Sequence, residues 1–170
     1  MSGLPVLRPL LITGPPAVGK SSLASFLADA VAPCAVVEAD DVWRLVKSGA
    51  VAPWQPGEGA RQGEMAALHA ALLMTSFHTH GFNVIATDIL LGNSFSAYAG
   101  SSVPPLVVHL RVPVDEALRR AGSARGDLTA EEFRLLHEAE RGATVADVSL
   151  ETTRLSVEKC AARILALWTD

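Results

Sequence analysis

With 170 residues, 49% hydrophobic and 19% charged, the chain can bury a substantial core and is too apolar to be disordered. A net charge of −4 sets aside a basic nucleic-acid surface, so no nucleic-acid partner is expected. Cys34 and Cys160 lie far apart without metal-ligand spacing. They read as buried reduced thiols, and no disulfide framework points to secretion. The apolar run near the N-terminus is too short to span a membrane and leads into a glycine-rich motif, so it reads as a strand rather than a signal peptide. The expectation is one soluble, cytoplasmic domain covering residues 1–170, with no membrane partner.

Residues Val6 to Thr13 form a short apolar run closed by Gly14, which suits a buried strand. Leu23, Phe26, Leu27 and Ala30 recur at helical spacing over Lys20 to Ala32, and Pro33 stops that helix. Cys34 to Ala39 reads as a second buried strand running into Asp40 and Asp41. A helix starts near Val42, and glycines and prolines around Trp54 mark 49–59 as a loop. Glu64 to Thr79 is a long helical pattern. Asn83 to Leu91 and Leu106 to Val112 are further strand runs, the second followed by Pro113 at a helix start. Thr129 and Glu132 have capping-box spacing for a helix to about Arg141. Thr144 to Leu150 reads as a last strand, and Ser156 caps a final helix through Leu167. Five strands alternating with helices predict an α/β fold whose parallel sheet is covered on both faces.

Gly14-Pro15-Pro16-Ala17-Val18-Gly19-Lys20-Ser21 fits the phosphate-loop pattern GxxxxGK[ST], between a predicted strand and a predicted helix. The glycines let backbone N–H groups converge on phosphate oxygens, and the helix N-terminus adds partial positive charge there. Lys20 is placed to reach the outer phosphates, and the Ser21 hydroxyl to ligate Mg²⁺. Ser22 extends the loop. Nucleotide binding follows from this motif; catalysis does not follow from it alone.

Ligands of open parallel sheets bind at the carboxyl ends of strands, which puts Asp40 on the phosphate-loop edge. There its carboxylate can orient an attacking hydroxyl or take its proton. The plainer reading of either aspartate is a helix cap, and Asp41 is read as a cap or a solvated charge. Asp88 closes an apolar strand in the Walker B manner and would hold Mg²⁺, or else orient the substrate. Arg119, Arg120 and Arg125 form an arginine cluster suited to a phosphate clamp. Arg119 and Arg120 also stand four residues after Asp115 and Glu116, so they equally fit an exposed ion-paired helix face. Arg125, between Gly122 and Gly126, escapes that reading and is assigned to a lid of about 115–142. The Arg125-Gly126-Asp127 tripeptide reads as an accident of sequence. His78 and His80 fit a helix end, and His137 a helix surface. Trp43, Trp54 and Tyr98 offer flat apolar walls for an acceptor, with core packing the competing reading.

On these residues the chain resembles the chloramphenicol phosphotransferase-like family of small P-loop kinases. The matching features are the 14–22 loop, Asp40, Asp88 to Gly92, Ala124 to Asp127, His137-Glu138, Asp147-Val148 and Thr152-Thr153. The resemblance implies a shikimate-kinase-like core, a three-layer P-loop NTPase fold with a five-stranded parallel sheet flanked by helices. It implies ATP with Mg²⁺, transfer of phosphate to a small-molecule hydroxyl, Asp40 as candidate base and Arg120 or Arg125 in the lid. It also implies that the loop from Thr152 to Leu155, including Thr153, lies near the adenine, with Arg119 beside the nucleotide. The segment from about Val46 to Gly63 is shorter than the family's and centres on Trp54-Gln55-Pro56. A monomer or homodimer fits equally. The competing readings are a nucleoside or nucleotide kinase, for which residues 40–70 supply only Arg44, Lys47 and Arg61, and a regulatory nucleotide-binding module without transfer. No guanine-reading Asn-Lys-x-Asp segment is present, which sets aside a GTPase.

Overall fold

The computed structural model describes residues 6–122, 128–141 and 145–169. Five strands form one parallel sheet: β1 (Leu10–Thr13), β2 (Cys34–Glu38), β3 (Asn83–Asp88), β4 (Leu106–Arg111) and β5 (Val148–Glu151). Their order is β2-β3-β1-β4-β5. The helices are α1 (Lys20–Ala30), α2 (Ala39–Trp43), α3 (Glu58–Thr79), α4 (Phe95–Ala99), α5 (Val114–Ala121), α6 (Ala130–Arg141) and α7 (Val157–Trp168).

Alternate residues of a strand face opposite sides of its sheet. Leu10 and Ile12 accordingly join a core with Leu23, Leu27, Phe133 and Ile164, contributed by α1, α6 and α7. Leu11 joins a separate core with Val42, Ala67, Ala70 and Met74 from α2 and α3. All four residues of β1 are fully buried, as a central parallel strand covered on both faces requires. Two apolar cores on either side of one sheet make the three-layer architecture that the resemblance implies.

The boundaries depart from expectation in instructive places. β1 begins at Leu10, not Val6, since Pro9 has no N–H to add to a ladder and its carbonyl instead accepts from Leu106 N at 2.8 Å. β2 ends at Glu38, so Asp40 and Asp41 stand in the first turn of α2 rather than at a strand end. α3 starts at Glu58, six residues before the expected Glu64. Gly59 explains this early start. A Cβ there would stand 2.1 Å from the Ala52 carbonyl oxygen, so glycine lets the preceding loop lie directly on the helix. β5 starts at Val148, and Thr144 lies outside the described residues. Cys34 is only half-buried, because β2 is an edge strand, while Cys160 is buried; both are free thiols.

β1 pairs with β3 on one side and β4 on the other, with Thr13 in register with Asp88 and with His109. The chain leaves β1 at this topological switch point, where parallel sheets open a crevice beyond their strand ends.

Candidate active site

Thr13 passes directly into Gly14, whose φ is +143°. A Cβ at Gly14 would meet the Leu110 carbonyl oxygen at 2.4 Å, so this turn admits only glycine. Ala17 holds φ +59°, an unusual conformation for a residue with a side chain, at the crown of the loop. Lys20 opens α1 and folds back over the loop. Its Nζ donates to the Gly14 carbonyl at 2.7 Å and the Pro15 carbonyl at 3.0 Å. Burial lowers the pKa of its ammonium, while attraction from Asp40, Glu140, Asp88 and Glu38 works the other way. Ser21 Oγ donates to Glu38 Oε2 at 2.9 Å. Glu38 therefore belongs beside the phosphate loop, a placement that the sequence motif does not reveal.

A chamber of about 760 Å³ opens from the loop. Asp40 and Asp88 line it with Lys20 and Ser21, so the expected site residues of α1, α2 and β3 do converge. Burial pushes the Asp88 carboxyl up to about 7. A 2.9 Å hydrogen bond donated by Tyr98 Oη, and the Lys20 ammonium, pull it back down; Asp40 pushes it up further. Ser21, Glu38, Asp40 and Asp88 all put oxygen atoms on the chamber wall, hard donors of the type that Mg²⁺ takes, though among the described residues no three His, Cys, Asp or Glu side chains are grouped closely enough to hold a metal ion by themselves.

The far end of the chamber is apolar and aromatic, with Trp43, Trp54, Ala52, Pro53, Leu128 and Leu136. Trp43 Nε1 donates to Gln62 Oε1 at 3.3 Å, and Gln62 also accepts from Val51 N and donates to the Gly49 carbonyl. Gln62 is 4% exposed, a buried amide that ties loop, α2 and α3 together. Trp54 Nε1 donates to Glu132 Oε1 at 2.9 Å, while Glu132 Oε2 accepts from the Thr129 N–H and hydroxyl of the expected capping box. Both indole N–H groups are thus engaged by the protein, and what remains for a ligand is ring surface.

A second cavity of about 100 Å³ lies beyond Gly19 and Ser22 and is lined by Val18, Arg120, Thr152, Leu155 and Cys160. Arg120 reaches it from α5, donating to the Thr152 and Thr153 carbonyls at 3.0 and 3.3 Å, with its Nε on Glu116 at 2.9 Å. Thr153 itself sits outside the lining and turns its hydroxyl to Glu151. Arg119 forks onto Glu116 at 2.7 Å, is largely exposed, and lines neither cavity. Asp115 is not its partner. Asp41 pairs with Arg44 at 2.7 Å in solvent, as a solvated charge does. Arg125 lies outside the described residues.

Two expectations are corrected. Tyr98 is fully buried beneath Asp88 and forms no wall of the chamber. His137 is 3% exposed, not a surface residue. It follows Phe133 by one turn on the inner face of α6 and stacks on it at 5.1 Å. Its polarity disguised a core-facing position.

A strand, phosphate loop and helix at the switch point of a five-stranded parallel sheet define a P-loop nucleotide-binding enzyme. The description "Chloramphenicol phosphotransferase-like protein" matches residues 8–169, and the chain belongs to that family, as an ATP-dependent phosphotransferase. Among solved structures, it is similar to the shikimate kinase of Acinetobacter baumannii in complex with shikimate, at 23% identity and TM-score 0.67, over 95% of this chain and 92% of that one. It is also similar to a sugar kinase from a Janibacter species, at 18% identity and TM-score 0.72, over 96% and 95% of the two chains. The APS kinase of Mycobacterium tuberculosis in complex with AMPPNP and APS gives 15% identity and TM-score 0.71, over 98% and 100%. Likenesses at this identity show a common fold. No curated protein matches the chain. Among the described residues no helix is long and apolar enough to cross a membrane.

Proposed function

We propose that the protein transfers the γ-phosphate of ATP to a hydroxyl of a small molecule that has an apolar, flat body and no anionic group. The observation that carries this reading is the charge of the chamber wall. Among the described residues its only cations are Lys20, folded onto the phosphate loop, and Arg44, already paired with Asp41. Against them stand Glu38, Asp40, Glu64, Asp88 and Glu132. An acidic sugar or a nucleotide acceptor would enter such a wall with its own charge uncompensated. An antibiotic-like or metabolite alcohol seated between Trp43 and Trp54 would not.

In this reading the triphosphate lies on Gly14 to Ser22, with its adenine towards Thr152 to Leu155, where Arg120 holds the loop in place. Asp40 orients the acceptor hydroxyl and takes its proton as the bond to phosphorus forms. Lys20 leaves its carbonyl partners to neutralise charge on the transferring group. Ser21 and Asp88, with Glu38 beside them, would hold Mg²⁺, which supplies charge neutralisation across the phosphates when bound. The segment of about 115–142 covers the phosphate end and excludes water, with Arg125 its arginine. The whole chain is one domain working in the cytoplasm.

The test is ADP formation with Mg²⁺ and ATP against neutral aromatic alcohols, sugars, sugar acids, nucleosides and nucleoside monophosphates, with Asp40→Asn alongside. Stimulation by neutral alcohols, lost in the variant, is the expected result. Preference for a sugar acid or a nucleotide would overturn the acceptor assignment. Stimulation by nothing, with ATP still bound, would favour a regulatory module.

A further inference from the structure

Helix α6 carries a carboxyl group that phosphoryl transfer leaves unused. Glu140 is fully buried, and its Oε1 accepts a 2.6 Å hydrogen bond from the Thr13 hydroxyl. Nε2 of His109, 3% exposed, lies 3.4 Å from the same oxygen. Glu140 Oε2 and His109 Nε2 have no hydrogen-bond partner among the described residues. Such a group is costly to bury, and an apolar side chain of similar volume would fill the space without that cost. Its retention therefore calls for a reason beyond packing.

The reason lies in what Glu140 holds. Thr13 ends β1, and the next peptide is Gly14, the root of the phosphate loop. One turn earlier on α6, His137 Nε2 stands 3.3 Å from the Pro16 carbonyl oxygen, near the crown of the same loop. α6 thus meets the loop at both its base and its tip. The same helix carries Glu132, two turns before Glu140, which fixes Trp54. Residues 132, 136 and 140 recur every four positions along one face, and Leu136 lines the chamber between them.

We propose that Glu140 is a positioning residue for the phosphate loop: through the Thr13 hydroxyl it locks the root of the loop to α6 in the form that receives nucleotide phosphates. It touches no substrate. The inference rests on nucleotide binding by the loop and is independent of the acceptor assigned above.

The experiment measures ATP affinity, in the presence of Mg²⁺, for wild type, Thr13→Val, Glu140→Gln and the double variant, together with melting temperature without nucleotide. Both substitutions keep shape. Thr13→Val removes the donor and should weaken ATP binding about tenfold, the effect of losing a hydrogen bond to a charged group, while Glu140→Gln, whose amide oxygen can still accept from Thr13, should weaken it less. The double variant should bind no worse than the weaker single, because both cut one link. Thr13→Val separates positioning from electrostatics, because it leaves in place the Glu140 carboxylate that also supports the Lys20 ammonium. Affinity within about twofold of wild type in folded Thr13→Val, or additive losses in the double variant, would each overturn the proposal, whatever the melting temperature does. Should Glu140→Gln fail to fold, Thr13→Val decides alone by the same affinity criterion.

Discussion

The two ends of the chamber are built in different ways. The phosphate end is made of backbone: a glycine pressed against the Leu110 carbonyl, an alanine at positive φ, and a lysine bonded to carbonyls within its own loop. The aromatic end, proposed above to take the acceptor, is made of side chains that distant segments hold in place, Trp43 through Gln62 and Trp54 through Glu132. A backbone-built site is rigid and indifferent to what lies beyond the phosphates. A side-chain-built site can be refitted to a new acceptor without disturbing the loop.

That contrast orders the expected effects of mutation. Asp40→Asn, at the junction of the two ends, should lower the transfer rate roughly 10²–10⁴-fold with ATP affinity unchanged; a loss under about tenfold would make Asp40 an orienting group only. Lys20→Ala should lower the rate roughly 10²–10³-fold for every acceptor alike, read as kcat in the same assay. Trp54→Ala should act on one side alone. It should raise the acceptor KM by roughly tenfold while the ATP KM stays put, and equal changes in both would mean that the two ends are not separable.

The smallest effect concerns Asp88 and pH. Its carboxyl keeps its proton to about 7 in the fold, against an ordinary value of 3.8. A folded value raised above the unfolded one gives stability that is complete below about 3.8 and lost as pH climbs through 7. The melting temperature of the nucleotide-free protein should therefore fall by a few degrees as pH rises from mildly acidic through 7, and Asp88→Asn should flatten the curve. An Asp88→Asn curve parallel to wild type would show that another group governs the slope.

The same contrast explains what the sequence made legible. The phosphate loop is contiguous, so Gly14 to Ser21 could be assigned from pattern alone, and the apolar runs of β1, β3 and β4 gave the sheet. Asp40 was placed at the correct edge but on the wrong element, since the Cys34 to Ala39 run does not show that hydrogen bonding stops at Glu38. Glu38, Gln62 and Glu140 carry no local signal, and Glu132 signals only its capping box; each works through a residue far along the chain, such as Glu140 through Thr13 and Glu132 through Trp54. His137 and Glu140 follow Phe133 and Leu136 at helical spacing, but polarity hid the inner face they share. Arg119 and Arg120 could not be separated by spacing. Glu116 takes both, and only Arg120 extends on to the loop at Thr152.

The central claim is transfer to an alcohol rather than hydrolysis, and phosphorus NMR of the reaction with a neutral aromatic alcohol tests it most directly. A new phosphomonoester signal that grows with ADP and disappears in Asp40→Asn is the expected result. Inorganic phosphate as the sole product, at a rate that no alcohol changes, would contradict it.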